Sequence, residues 1–448
     1  MNARQSDHAP IWCSAGAFLL LLTLLRAGGL RLGDPSAKLT VAAGLCLLAL
    51  LGQLLLPRRE DGFHRPALFF PVAAALFFRL FLLDHETYDY LDFLSHWAAY
   101  FREHGGLAAI GDPVGNYNVP YLYFLALISY LDLPDLYLIK LFSILFDVLL
   151  AWAGARLARC VTPKESLKPT VVFCLLLFLP TVVLNGAYWA QCDAIYAALC
   201  LHALACALER KGPASVLLLS LAFAFKLQAI FLVPLWCVLW YRGNLKFRQF
   251  FLFPAGFLAA VLPAMLSGRS LVDILNIYLD QTGTYPALTL NAPSVFSLIP
   301  YGVQVNEALF AKLGILAAFV LVFLLLGGFF PRRKAISDEM LVLLAAVMAL
   351  GVPYFLPHMH ERYYMLAEVL TLLLAVLAPR RYLLPALLVQ IASLGGYHAY
   401  LRLQYAFPMA WGGVMNLAAL LLLLFHLRFP PQTGRRVLSR APTGKRTT

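Results

Sequence analysis

Four carboxylates, Asp84, Glu86, Asp89 and Asp92, crowd one acidic and aromatic stretch, DHETYDYLDFLSHWAAYFREH over 84–104, directly after an apolar run from Ala67 to Leu83. Carboxylates beside a membrane span are costly unless they are solvated, paired or used. On a helix, Asp89, Asp92 and His96 stand at i, i+3 and i+7 and share one face. A carboxylate so placed suits deprotonation of a hydroxyl, and Tyr88, Phe93, Trp97 and Tyr100 offer aromatic surface to a sugar ring or a headgroup. The bland alternative is a solvated amphipathic helix at the membrane surface. Taken alone, the stretch favours neither.

Four more segments mix polar and aromatic residues. Asn116, Tyr117 and Asn118 form a polar turn whose amides and phenol could bond sugar hydroxyls, although Asn, Gly and Pro make turns in any case. Trp189, Gln191 and Asp193 join two apolar runs; Asp193 could simply cap the following helix. Lys226 and Gln228 interrupt the apolar run Phe223–Val233, where a lysine either meets an anionic group or snorkels to the surface. In PHMHERYY, His358, His360, Glu361 and Arg362 sit between two spans. A metal is the minor reading there, because no further ligand stands at a convincing spacing. A guanidinium beside two histidines suits a phosphate better. One chemistry uses all five segments: a carboxylate deprotonates an acceptor hydroxyl while Arg, His and Lys stabilise a departing phosphate.

Membrane helices must carry these residues. The chain has 448 residues, 61% of them hydrophobic and 13% charged, against roughly half and a quarter in soluble domains. Its apolar runs are continuous rather than alternating, which excludes a β-barrel. The predicted class is an all-α polytopic membrane protein, a multi-span helical bundle of about 12–14 spans with interfacial helices on the outer face. Spans are expected at 11–30, 39–56, 67–83, 135–155, 169–187, 190–208, 213–226, 227–241, 249–267, 309–330, 339–356, 363–378, 382–399 and 408–427. The runs 87–104 and 120–131 are expected to lie on or dip into the outer surface. The first span is read as retained rather than as a cleaved signal. Residues 1–66 form a two-helix hairpin, 67–428 the core with outer loops 84–134 and 268–308, and 429–448 a basic cytoplasmic tail.

Charge fixes the expected orientation. The formal net charge is +12. Clusters at Arg58, Arg59 and Arg65; Arg156, Arg159, Lys164 and Lys168; Arg210 and Lys211; Arg242, Lys246 and Arg248; Arg332, Arg333 and Lys334; and Arg380 and Arg381 fall on one side with the tail. That side is cytoplasmic; Arg31 and Lys38 violate the rule. The five polar segments then face outward. No basic-aromatic platform or zinc-finger spacing suggests nucleic acid. The eight cysteines are scattered through apolar runs with no disulfide framework.

The segments TYDYLDFLSHW, GNYNVPYLY, LIKLFSILFD, LNGAYWAQCDAIY, FAFKLQAIFLVPL, YLDQTGTYPALTLNAPSVF and LPHMHERYY, in this order over about 67–400, resemble the bacterial Gpi18-like mannosyltransferases of the GT-C glycosyltransferase superfamily. The resemblance implies a multi-span GT-C fold acting at the outer face of the cell membrane. It implies inverting transfer of a hexose, mannose at family level, from a polyprenyl-phosphate sugar to the hydroxyl of a glycolipid, wall polymer or protein. No cofactor and usually no metal are implied. Asp89 matches the family's general base, with Asp92 an extra carboxylate. Trp189, Gln191 and Asp193 match its motif between two spans, and Lys226 and Gln228 its broken-helix motif. His360, Glu361 and Arg362 match its late loop, where the donor phosphate is expected. Asn291 and Pro293 lie in the second outer loop, near donor or acceptor.

Two other classes compete. A lipid or glycan transporter would show repeated halves with matching broken helices, and no repeat is visible. A lipid-linked glycan ligase or polymerase would use a pyrophosphate-linked oligosaccharide instead of a monosaccharide phosphate.

Overall fold

A computed structural model describes residues 9–57, 69–283, 286–329, 331 and 336–429. The clusters at Arg58, Arg59 and Arg65 and at Arg332, Arg333 and Lys334, and the tail beyond 429, lie outside them.

The protein is an all-α polytopic membrane protein. Its helices are α1 (Ala9–Ala27), α2 (Pro35–Leu55), α3 (Phe69–Leu80), α4 (Ser95–Glu103), α5 (Val119–Ile128), α6 (Asp135–Cys160), α7 (Lys168–Phe178), α8 (Pro180–Val183), α9 (Asp193–Leu208), α10 (Gly212–Phe225), α11 (Val233–Arg242), α12 (Leu252–Leu266), α13 (Leu271–Gly283), α14 (Glu307–Phe329), α15 (Asp338–Phe355), α16 (Met365–Leu377), α17 (Pro379–Arg402) and α18 (Met409–Arg428). Every expected span coincides with helix to within a few residues. Among the described residues, six helical stretches can cross a bilayer unaided by length and composition, or seven if the bent pair α7 and Pro180–Tyr188 counts as one. The other apolar helices are mostly 10–17 residues long, short of the ~20 that a bilayer core needs.

Local sequence explains where helices start and break. Asp34 caps α2 through the Ser36 and Ala37 amides, and Ser337 caps α15 through Met340 N. Pro180 cannot donate to the ladder and forces Leu179 into an extended backbone. The expected straight span 169–187 is therefore bent by 47°. The expected helix 87–104 opens with a π-helical turn, Tyr90–Leu94, before α4. α9 starts at Asp193, later than the expected 190, because Ala190 takes a positive φ of 66°. Lys226 is fully extended, at φ −155° and ψ 131°, so α10 stops there before a 3-10 turn, Leu227–Leu232.

The bundle core is built around α6, α9, α15 and α16, with α6 against α7 and α9, and α16 against α17. α15 is 83% buried, whereas α14 is 17% buried and presents an apolar face outward. One end of the bundle collects the basic clusters: Arg156 pairs with Glu209, Arg242 pairs with Asp338, Arg210 donates to Gly243 O and Lys168 to Leu377 O. The opposite ends of the same helices converge on the polar segments. There two short strands, β1 (Thr289–Leu290) and β2 (Met359–His360), pair in parallel.

Candidate active site

Three donors from two elements aim at the carboxylate of Asp89. Its Oδ2 accepts from Trp189 Nε1 at 2.9 Å and from Gln191 Nε2 at 2.6 Å. Its Oδ1 accepts from the Tyr400 hydroxyl at 2.6 Å. Trp189 and Gln191 can do this because the chain between α8 and α9 leaves helical geometry through the π-turn Leu184–Tyr188 and Ala190. Thr87 Oγ1 donates to Trp189 O, so the carboxylate's own loop is tied to its donors.

A second carboxylate has different company. Asp193, fully buried at the start of α9, accepts from Lys226 Nζ at 2.5 Å on Oδ1 and from Asn185 Nδ2 at 2.9 Å on Oδ2. Arg362 Nε lies 3.9 Å from Asp193 Oδ2, and Arg362 Nη1 donates to Glu361 Oε1 at 3.1 Å. The guanidinium also lies 5.0 Å from the Trp189 ring centroid, within cation–π range. Lys226 and Arg362 thus carry two positive charges into one place, partly neutralised by Asp193 and Glu361.

The neighbouring groups titrate accordingly. Burial pushes the Glu361 carboxyl up to about 7, with Arg362 opposing the shift. Burial, reinforced by Arg362 and Lys226, holds His360 well below its ordinary range. His360 Nδ1 lies 3.4 Å from Arg362 Nη1. His360 is therefore a neutral imidazole at pH 7, not a third cation.

These groups border a cavity of about 510 Å³. Asp89, Asn116, Tyr117, Asn118, Lys226, Gln228, His358, His360 and Arg362 line it, beside an apolar wall that includes Phe93, Trp97, Phe225, Ile230, Phe231 and Ile315. Trp189, Gln191, Asp193 and Glu361 stand buried behind these. Tyr117 donates to Gln191 Oε1 at 3.0 Å, joining the polar turn to the Asp89 network. That turn packs against Trp97 at Gly115, where φ is +60° and a Cβ would lie 2.4 Å from the indole. Among the described residues, Gln228 Oε1 is buried without a hydrogen-bond partner.

Three expected residues sit elsewhere. Asp92 and His96 are exposed and do not line the cavity. The π-turn widens the helical repeat immediately after Asp89, so the expected common face of Asp89, Asp92 and His96 does not form. Asn291, at φ 56°, bridges His360 through its backbone and accepts from Tyr405 on Oδ1 at 2.7 Å. It positions the late loop without lining the cavity. Gly396 allows that approach, since a Cβ there would lie 2.7 Å from Asn291 O.

Sequence reasoning missed Tyr400, a tyrosine at a span end that reads as an interfacial aromatic. It also gave LIKLFSILFD no task. One face of α6 in fact carries Tyr137, Lys140, Ser143 and Asp147. Tyr137 donates to Asp84 Oδ1, and Lys140 Nζ donates to the carbonyls of Leu82, Leu83 and His85 at 2.6–3.0 Å. Ser143 donates to Gln191 O at 2.8 Å. Asp147 pairs with Arg79, which also donates to Leu177 O beside the α7 bend. A lysine inside an apolar run was a usable signal. Among the described residues, no group of three or more His, Cys, Asp and Glu is arranged to hold a metal ion.

The chain matches no protein-family model, and no curated protein matches it.

Proposed function

We propose that the protein is an integral membrane glycosyltransferase. It transfers a hexose from a polyprenyl-phosphate sugar to an acceptor hydroxyl, and the resemblance above points to mannose. The observation that carries this reading is the meeting, in one cavity with an apolar wall, of a carboxylate that accepts from three neutral donors and a lysine–arginine pair. A nucleophile's base and a leaving phosphate's counter-charges are what phosphate-leaving glycosyl transfer needs.

The reaction is a single displacement. Asp89 takes the proton from the acceptor hydroxyl, and the oxygen bonds to the anomeric carbon as that carbon's bond to the phosphate oxygen breaks. The configuration inverts, and polyprenyl phosphate departs against Arg362 and Lys226. His360 contributes as a neutral neighbour, and Gln228, Asn116, Tyr117 and Asn118 present bonding groups to the sugar. The apolar wall suits the first isoprene units of the donor.

The end-to-end polarity of the bundle supports an extracytoplasmic site. Arg156, Arg210, Arg242 and Lys168 gather at the end remote from Asp89, and basic clusters stay cytoplasmic. The reading places the protein in the cell membrane with its C-terminus in the cytoplasm.

The test is transfer of radiolabelled hexose from polyprenyl-phosphate hexose to membranes of a deletion strain. Wild-type protein should label them, and Asp89→Asn should not while eluting as folded protein. Consumption of a pyrophosphate-linked oligosaccharide instead would favour a ligase.

A further inference from the structure

We propose that the Tyr400 hydroxyl occupies, in the resting protein, the seat that the acceptor hydroxyl takes in the reacting complex, and that the acceptor displaces it. This rests on the assignment of Asp89 as base. An acceptor must donate its O–H to that carboxylate at ~2.6–3.2 Å before the proton moves. Oδ2 is already taken by two donors, Trp189 and Gln191. Oδ1 is the oxygen left for the acceptor, and Tyr400 donates to it at 2.6 Å. A phenol O–H there mimics the sugar hydroxyl in group, distance and direction of donation.

The three donors are not equally fixed. Trp189 and Gln191 are buried, and each has further ties: Thr87 to Trp189 O, Tyr117 to the Gln191 amide oxygen and Ser143 to Gln191 O. Tyr400 is half-buried in the last turn of α17. The helix ends three residues on at Leu403, in a left-handed conformation of φ 53°, and the chain beyond it is exposed as far as Ala406. Tyr400 is thus the donor that can leave. It is stacked on Trp189 with centroids 4.6 Å apart. Its departure would bare an indole face beside Oδ1, a surface on which a pyranose can stack. Tyr400 does not line the cavity that holds Lys226 and Arg362, so the acceptor enters past the end of α17 and not through the phosphate side. The class of ligand is a hydroxyl-bearing sugar ring. Exchanging one O–H donor for another keeps the number of hydrogen bonds to Asp89 constant as the acceptor binds.

The test uses full-length protein in proteoliposomes, radiolabelled polyprenyl-phosphate hexose as donor, and boiled deletion-strain membranes titrated as acceptor. Tyr400→Phe should lower the half-saturating amount of acceptor membranes about tenfold, the lower end for one hydrogen bond to a charged group, without a matching fall in maximal rate. Tyr400→Leu, which removes the ring too, should move the same way. An unchanged or raised half-saturation in both variants overturns the proposal. So does a tenfold loss of maximal rate at unchanged half-saturation, which would make the phenol part of the chemistry. Retained transfer by Asp89→Asn would instead overturn the base assignment itself, and the two failures are read from different variants.

Discussion

Asp89 and Asp193 are both aspartates at the same end of the bundle, yet their partners are of opposite kinds. Asp89 is bound by an indole, an amide and a phenol, all neutral. Asp193 is bound by a lysine and an amide and approached by an arginine. Neutral donors orient the Asp89 carboxylate without forming a salt bridge to it. Asp193 instead pairs with Lys226 and lies near Arg362, so it holds the two cations in place. On the proposed mechanism, environment more than residue type divides the work between the two carboxylates.

Substitution at each site should break this contrast in a different observable. Asp89→Asn should cost about 10²- to 10⁴-fold in transfer rate, the range for loss of a general base, with little change in thermal stability. Asp193→Asn should do the reverse in kind. It strands the buried Lys226 and leaves Arg362 with Glu361 alone, so a loss of roughly 3–5 kcal/mol in stability is expected, read by denaturation in detergent. Equal stability losses in the two variants would dissolve the distinction.

Glu361 sharpens the comparison through pH. Its folded pKa of about 7 lies above the ordinary 4.5, so the folded protein binds the extra proton and this group makes stability fall as pH rises from about 4.5 to about 7. On the proposed mechanism, an ionised Glu361 competes with the donor phosphate for Arg362. The donor KM should therefore rise as pH passes 7, and Glu361→Gln should flatten that rise. The smallest effect is expected from Ser143→Ala. It removes one bond to Gln191 O and should cost about 1 kcal/mol, or some fivefold in rate, chiefly by loosening Gln191 against Asp89. A variant indistinguishable from wild type would leave the polar face of α6 without a part in positioning.

The helices were legible because apolar length and Pro, Gly and Asp caps are local signals. Asp89, Lys226 and Arg362 were legible because charge in an apolar chain stands out. The common face of Asp89, Asp92 and His96 was misjudged because a π-turn and an α-turn cannot be told apart from apolar spacing. Tyr400 was invisible for another reason: its partner lies 311 positions earlier, and no local pattern records that distance. Lys140 was visible as a charge but not as an anchor, since it holds main-chain carbonyls that any sequence supplies.

The short ladder between β1 and β2 has a bearing on how such a protein could diversify. The strand that carries His360, two residues before Arg362, is held to the segment after α13 by main-chain pairing at Thr289, Leu290 and Asn291, and by His358 N donating to Leu288 O at 2.9 Å. Main-chain bonds survive most side-chain exchanges. The loop surface around residues 286–290 can therefore drift toward new ligands while the guanidinium keeps its station, so selectivity could evolve on one strand without retuning the chemistry beside the other.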